Sequence, residues 1–127
     1  GIGFKLELPE NLPPMRGDRS KLKQALINLL NNAIKYNKEK GDITLSCRAT
    51  EDEFVITVSD TGIGIPLKDT SKIFEKFYRV PDHREEIPGT GLGLSVVKQI
   101  INGHGGHINV DSEVNVGTTF TIYLPHE

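Results

Sequence analysis

The chain has 127 residues and a formal net charge of -2. That is long enough for one domain with a buried core, and too close to neutral for bulk charge to draw it to nucleic acid or an anionic membrane. Hydrophobic residues at 36% and charged residues at 25% suit a globular fold, and no apolar run approaches the ~20 residues that cross a bilayer. The single cysteine, Cys47, excludes an internal disulfide framework and favours a reducing, cytoplasmic setting.

Phe4, Leu6 and Leu8 alternate with Lys5 and Glu7, the pattern of a short half-buried strand. Leu12-Pro13-Pro14 breaks it, and Asp18 stands as N-cap to a helix from about Arg19 to Asn37. Two antiparallel β runs follow, Ile43–Ala49 and Phe54–Val58, with Cys47 expected as a small buried group on the first. Asp60 to Pro66 reads as a loop and Thr70 to Phe77 as a short helix with Ile73, Phe74 and Phe77 on one side. Val80 to Gly91 lacks periodicity, and a stretch of that length inside a compact domain is usually functional or mobile. A helix from about Leu92 to Asn102 ends at Gly103. His107–Val110 and Thr118–Leu124 then form a hairpin bridged by Ser112–Gly117. The sum is a layered α/β (α+β) domain over residues 1–127, a two-layer sandwich with helices on one face of a mixed sheet. Strand order is not readable. The opening Gly1-Ile2-Gly3 reads as the edge of a piece taken from a longer protein.

Three segments carry chemistry. At about 100° per residue, Leu22, Ala25, Leu26, Leu29, Leu30 and Ala33 form one apolar arc of the first helix. Asn28, Asn32 and Lys35 share a different arc about 60° wide, with Tyr36 on its border. Two amide oxygens suited to Mg²⁺ and an ammonium suited to phosphate thus point one way. A solvated polar face would look the same. Asp60 ends a β run, where its carboxylate is a natural acceptor for the adenine amine, and Gly62 and Gly64 keep the adjoining wall flat. A turn aspartate beside turn glycines is the bland alternative. Gly89, Gly91 and Gly93 alternate with Thr90, Leu92 and Leu94 just before a helix. There, exposed N–H groups and the helix dipole would hold an anion. That loop is neither a P-loop nor a dinucleotide fingerprint.

These runs resemble the boxes of sensor histidine kinases. Asn28 to Tyr36 is similar to the N box, Asp60–Gly64 to the G1 box, and Ile73 to Arg79 to the F box. Gly89–Leu94 is similar to the G2 box and Gly117-Thr118-Thr119-Phe120 to the final glycine-threonine element. Their order matches the catalytic and ATP-binding domain of the GHKL superfamily, across Asp18 to Pro125. The resemblance implies a sheet of about five strands under about three helices, with a long mobile ATP lid over Val80 to Pro88. It implies that Asn32 ligates Mg²⁺, Asn28 supports metal and phosphates, Lys35 contacts phosphate oxygens, and Tyr36 lies near base and sugar. Asp60 would hold the adenine amine, with Gly62, Gly64 and Thr118 completing the pocket. Gly89, Thr90, Gly91, Leu92, Gly93 and Leu94 would wrap the phosphates, and Arg79 would reach the terminal one. ATP is the implied substrate, ADP the product.

The implied function is γ-phosphoryl transfer to a histidine on a separate dimerisation and phosphoacceptor domain, ahead of a response-regulator receiver domain. None of His83, His104, His107 and His126 has the acceptor context, and His104 in a helix-ending turn reads as structural. The fragment is expected to be monomeric, to bind nucleotide, and not to autophosphorylate alone. It should touch neither membrane nor nucleic acid, although the parent kinase would be free to carry a membrane anchor. A hydrolytic ATPase switch is the main alternative; there a glutamate acts as base one turn before the metal ligand, and Asn28 in that place cannot take a proton. A serine-directed kinase of the anti-sigma-factor type is disfavoured by the F box and Tyr36. A nucleotide-dependent docking domain without phosphotransfer is a further alternative.

Overall fold

Asp18 begins the helical layer. The Lys21 N–H donates to its Oδ1 at 3.1 Å, pairing one of the amides that a helix start leaves without a partner. The helix it caps, α1 (Arg19–Lys35), buries Ala25, Leu29 and Ala33, with Leu22, Leu26 and Leu30 packed half-buried beside them. The apolar arc read from the sequence is the face that meets the core. The helix stops short of the expected Asn37 because the chain tightens: the Asn37 N–H bonds the Ile34 carbonyl at 3.3 Å. Its side-chain Nδ2 turns instead to the Asp42 carbonyl at 3.2 Å.

A computed structural model describes residues 2–9, 17–38, 40–75 and 93–125. Five strands, β1 (Gly3–Glu7), β2 (Asp42–Ala49), β3 (Glu53–Asp60), β4 (His107–Glu113) and β5 (Gly117–Pro125), form one sheet in the order β1-β2-β3-β5-β4. β1 runs parallel to β2, and the other neighbours are antiparallel. Above the sheet lie α1, the single-turn α2 (Leu67–Thr70) and α3 (Gly93–Gly103). This is the two-layer mixed α/β sandwich expected.

Register decides what faces the helices. Leu45, Val58, Phe120 and Val110 stand in one row across four strands, and Cys47, Ile56, Ile122 and Ile108 in the next. These rows join Ala25, Leu29, Val97 and Ile101 in one core. Removing each large apolar side chain from water stabilises the fold by roughly 1.5–3 kcal/mol. Phe74 adds an edge-on contact with Phe120, ring centroids 6.1 Å apart.

Four further expectations change. β1 is exposed rather than half-buried, with Phe4 at 59% and Leu6 at 55%, because it is a sheet edge and the helices lie over β3 and β4. The short helix begins earlier and is one turn long. Amides of Asp69, Lys72 and Glu75 bond carbonyls three residues back, and the Thr70 hydroxyl takes the Leu67 carbonyl at 2.9 Å, so tight turns replace α-helix. The final hairpin is longer, its loop reduced to residues 114–116. Cys47 is only half-buried, and burial pushes its thiol up, away from reactivity at neutral pH. The expectations for Leu12–Pro14, Phe77, the Val80–Gly91 stretch, His83 and His126 lie outside the described residues.

Candidate nucleotide-binding site

The sheet rows change from apolar to polar at one end. Ile43, Asp60, Thr118 and Ser112 form the terminal row on the helix-facing side. A side-chain period of two along β3, from Phe54 through Ile56 and Val58, carries Asp60 onto the core face. The carboxylate is only 8% exposed, and its Oδ1 accepts the Gly62 N–H at 2.9 Å. Burial raises this carboxyl above the ordinary range, while the N–H groups of Gly62 and Thr118 pull it back in part. A buried, directed acceptor at the end of a strand can read a donor on a flat ring.

The loop after Asp60 is clamped on both sides. The Ile63 N–H bonds the Tyr36 carbonyl at the end of α1 at 3.0 Å, and its own carbonyl takes the Asn115 N–H at 2.9 Å. Thr61 fastens the loop to β2, its hydroxyl accepting the Asp42 N–H at 2.8 Å. Ser112 is a hub: its Oγ accepts the Ile65 N–H at 2.7 Å and lies 3.0 Å from the Gly117 carbonyl and 2.7 Å from the Thr118 hydroxyl. The loop glycines serve this packing. A Cβ on Gly62 would run into the Tyr36 carbonyl, and one on Gly64, whose φ is +77°, into the Glu113 carbonyl. At both glycines backbone lies against backbone.

On α1, Asn28 and Asn32 are half-buried and Lys35 is exposed. Asn28 Nδ2 donates to the Gly93 carbonyl at 3.4 Å, so the amide-bearing face of α1 meets the first residue of α3. The Lys35 ammonium stands over the Tyr36 ring, 5.7 Å from its centroid. Through Tyr36, α1 touches the Asp60 loop; through Asn28, it touches the start of α3. Two of the three chemistry-bearing segments thus meet on the third.

Gly93 opens α3, and among the described residues nothing beyond its neighbours and its own helix lies within 4 Å of where its Cβ would stand. Leu94 packs half-buried against the core, so its side chain anchors α3. Thr118 is buried, with its hydroxyl on Ser112. Arg79, Gly89, Thr90, Gly91 and Leu92 lie outside the described residues. Thr61 and Ser112 were given no role in the sequence reading, and Gly117 entered it only as part of the glycine-threonine element. The period-two pattern Ile108, Val110, Ser112 would have put Ser112 on the core face, had the strand been extended past Val110.

The donor chemistry fits Mg²⁺ only in a particular way. Among the described residues no group of three or more His, Cys, Asp or Glu side chains gathers to hold a metal ion. A cation at Asn32 would take one neutral amide oxygen and draw its other ligands from phosphate and water, the coordination Mg²⁺ favours.

Fold and site together define an ATP-binding domain of the GHKL class, in which an α/β sandwich presents an amide-bearing helix beside a strand-end aspartate. Residues 17–127 match the family described as histidine kinase-, DNA gyrase B-, and HSP90-like ATPase. The sensor histidine kinase WalK of Bacillus subtilis is 42% identical over 129 residues, covering 99% of this chain and 21% of WalK. The structure of full-length ShkA in complex with AMPPNP matches with TM-score 0.85 and 31% identity, over 98% of this chain and 26% of that one. Histidine kinase ThkA in complex with the response regulator protein TrrA matches with TM-score 0.80 and 30% identity, over 99% and 34%. The chain belongs to the histidine kinase-, DNA gyrase B-, and HSP90-like ATPase family, as a catalytic ATP-binding domain of the sensor histidine kinase type. It spans about a fifth of the length of WalK. Among the described residues no helix is long and apolar enough to cross a membrane.

Proposed function

We propose that this domain binds Mg·ATP and passes the γ-phosphoryl group to a histidine on a separate dimerisation and phosphoacceptor domain of the same polypeptide, supplying a two-component pathway that ends in a response-regulator receiver domain. The observation that carries this is the convergence on α1: Tyr36 meets the Asp60 loop and Asn28 meets the start of α3. AMPPNP in ShkA and a response regulator beside ThkA support it by analogy. A half-buried free Cys47 suits a reducing cytoplasm.

Phosphoryl transfer asks the protein mainly to position and to neutralise. Asp60 accepts the adenine amine, while Gly62, Gly64 and Thr118 hold that end of the pocket in shape. Lys35 and Arg79 offset charge on the phosphates. Asn32 would hold the Mg²⁺ through its amide oxygen, with Asn28 one turn earlier supporting metal and phosphates. Mg²⁺, when bound, neutralises the charge that spreads over the phosphate oxygens during transfer. An imidazole nitrogen of the acceptor forms the new P–N bond as the bond from γ-phosphorus to the bridging oxygen breaks, and ADP leaves. Asn28 argues against hydrolysis as the main activity, because its amide cannot activate water by taking a proton.

The test is labelled γ-phosphate. The isolated chain should retain ATP without acquiring phosphohistidine, and should transfer label once the phosphoacceptor domain is added in trans. Steady release of inorganic phosphate by the chain alone, with no transfer on addition of the acceptor, would favour the ATPase switch instead.

A further inference from the structure

We infer that His104, some 15 Å along the α1–α3 interface from Asn28 by helix rise, is a positioning residue that sets the register of α3 on α1 and so the approach of Asn28 to Gly93. The inference rests on the nucleotide reading of that site.

His104 follows the last turn of α3. Its Nδ1 lies 2.8 Å from the Ile100 carbonyl, and its Nε2 lies 3.0 Å from the Asp18 backbone nitrogen. A carbonyl only accepts, so Nδ1 carries the proton and donates. Nε2 is then the bare nitrogen that accepts from the Asp18 N–H. One imidazole therefore closes the end of α3 and joins it to the residue that caps α1. Asp18 bonds through three groups: its N–H donates to His104, its Oδ1 accepts the Lys21 N–H, and its carbonyl accepts the Leu22 N–H. Gly17 makes room, since a Cβ there would stand 2.7 Å from His104 Cδ2.

The opposite end of the same interface is the Asn28–Gly93 bond. Between the two lie Leu22, Ala25, Val97 and Ile101, whose apolar attraction is non-directional. Hydrogen bonds are directional. The register of α3 on α1 is thus held at the His104 end, where both bonds are short, and the 3.4 Å approach of Asn28 to Gly93 follows from it. Only the Asn28 end lies in the nucleotide site.

Two substitutions separate the bonds. In His104→Asn the amide replaces Nδ1 and keeps the bond to Ile100 but cannot reach Asp18. In His104→Gln the amide oxygen extends to the position of Nε2 and restores the bond to α1. By calorimetry, His104→Asn should bind Mg·ATP about fivefold more weakly, the worth of one net hydrogen bond, with adenosine within about twofold of the parent. His104→Gln should bind both within about twofold of the parent. In the parent, a nitrogen–nitrogen coupling across the hydrogen bond between Asp18 and His104 should be visible by NMR. The inference is overturned if His104→Asn binds Mg·ATP like the parent, if both variants behave alike, or if adenosine and ATP weaken together. Absence of Mg·ATP binding by the parent itself would instead overturn the nucleotide reading, and this inference with it.

Discussion

Asn28 on α1 and Gly93 at the head of α3 are joined side chain to backbone at 3.4 Å although 65 positions separate them. The bond is long and its donor is half-exposed, so it adds little to folding. Asn28→Ala should leave the unfolding free energy within about 0.5 kcal/mol of the parent, while Mg·ATP affinity falls about tenfold through loss of a polar group facing the phosphates. Urea titration alongside calorimetry checks both halves.

Burial holds the Asp60 carboxyl in a state that costs stability when it is charged. Its folded pKa lies above the ordinary 3.8 because burial penalises the charge. The native state therefore binds more protons than the unfolded chain just above 3.8, and the stabilisation present below that value is lost as pH rises through the raised pKa. Asp60→Asn should raise the Tm of the ligand-free chain at pH 7 and flatten this dependence. It should weaken ATP by at least about tenfold, the loss of a charge-assisted bond to the base. Thermal melts from pH 3.5 to 7 on both proteins decide it.

Glycines in the two loops should separate by what their Cβ would meet. Gly64→Ala places a side chain at φ +77° against the Glu113 carbonyl, and should cost about 2 kcal/mol or more. Gly93→Ala meets no side chain among the described residues and takes a helical position, so it should hold stability within about 1 kcal/mol of the parent. Should Gly93→Ala nonetheless weaken ATP, the glycine matters for close approach of phosphate to the backbone. Denaturant curves and calorimetry on the same samples report this.

Ser112 tests the clamp on the Asp60 loop. Ser112→Ala leaves the Ile65 N–H without its 2.7 Å acceptor and should destabilise by about 1–2 kcal/mol. Adenosine affinity should fall with it, because the loop that shapes the base end is held through Ile65. Ser112→Thr retains the hydroxyl and should recover part of both losses.

The fold was legible where side-chain period and burial agree. The apolar arc of α1, the alternation of β2 and β3, and the Asp18 cap all follow from local chemistry. β1 was not, because Phe4, Leu6 and Leu8 carry the alternation of a buried face while tertiary placement leaves them at an open edge. Thr70 to Phe77 was read as helix from its apolar spacing. Pro66 and the Thr70 hydroxyl direct the early part of that run into three-residue turns. In the site, Asn28, Asn32, Asp60 and Thr118 could be nominated from the sequence because each sits in a short motif. Ser112 and Thr61 act by bonding to residues distant in sequence, and a pattern within one segment does not report that. For Gly62 and Gly64 the position was legible and the cause was not: the Tyr36 and Glu113 carbonyls come close only in three dimensions.

The most direct measurement is calorimetric titration of the parent, Asn32→Ala and Asp60→Asn with ATP, GTP and adenosine, each with Mg²⁺ and with chelator. One ATP should bind per chain, more tightly with Mg²⁺ than without and far more tightly than GTP. Asn32→Ala should lose the Mg²⁺ dependence yet keep adenosine, and Asp60→Asn should lose adenosine yet keep the Mg²⁺ dependence. Equal binding of ATP and GTP by the parent, or an unchanged Mg²⁺ dependence in Asn32→Ala, would contradict a single site that grips adenine at Asp60 and the metal-bridged phosphates at Asn32.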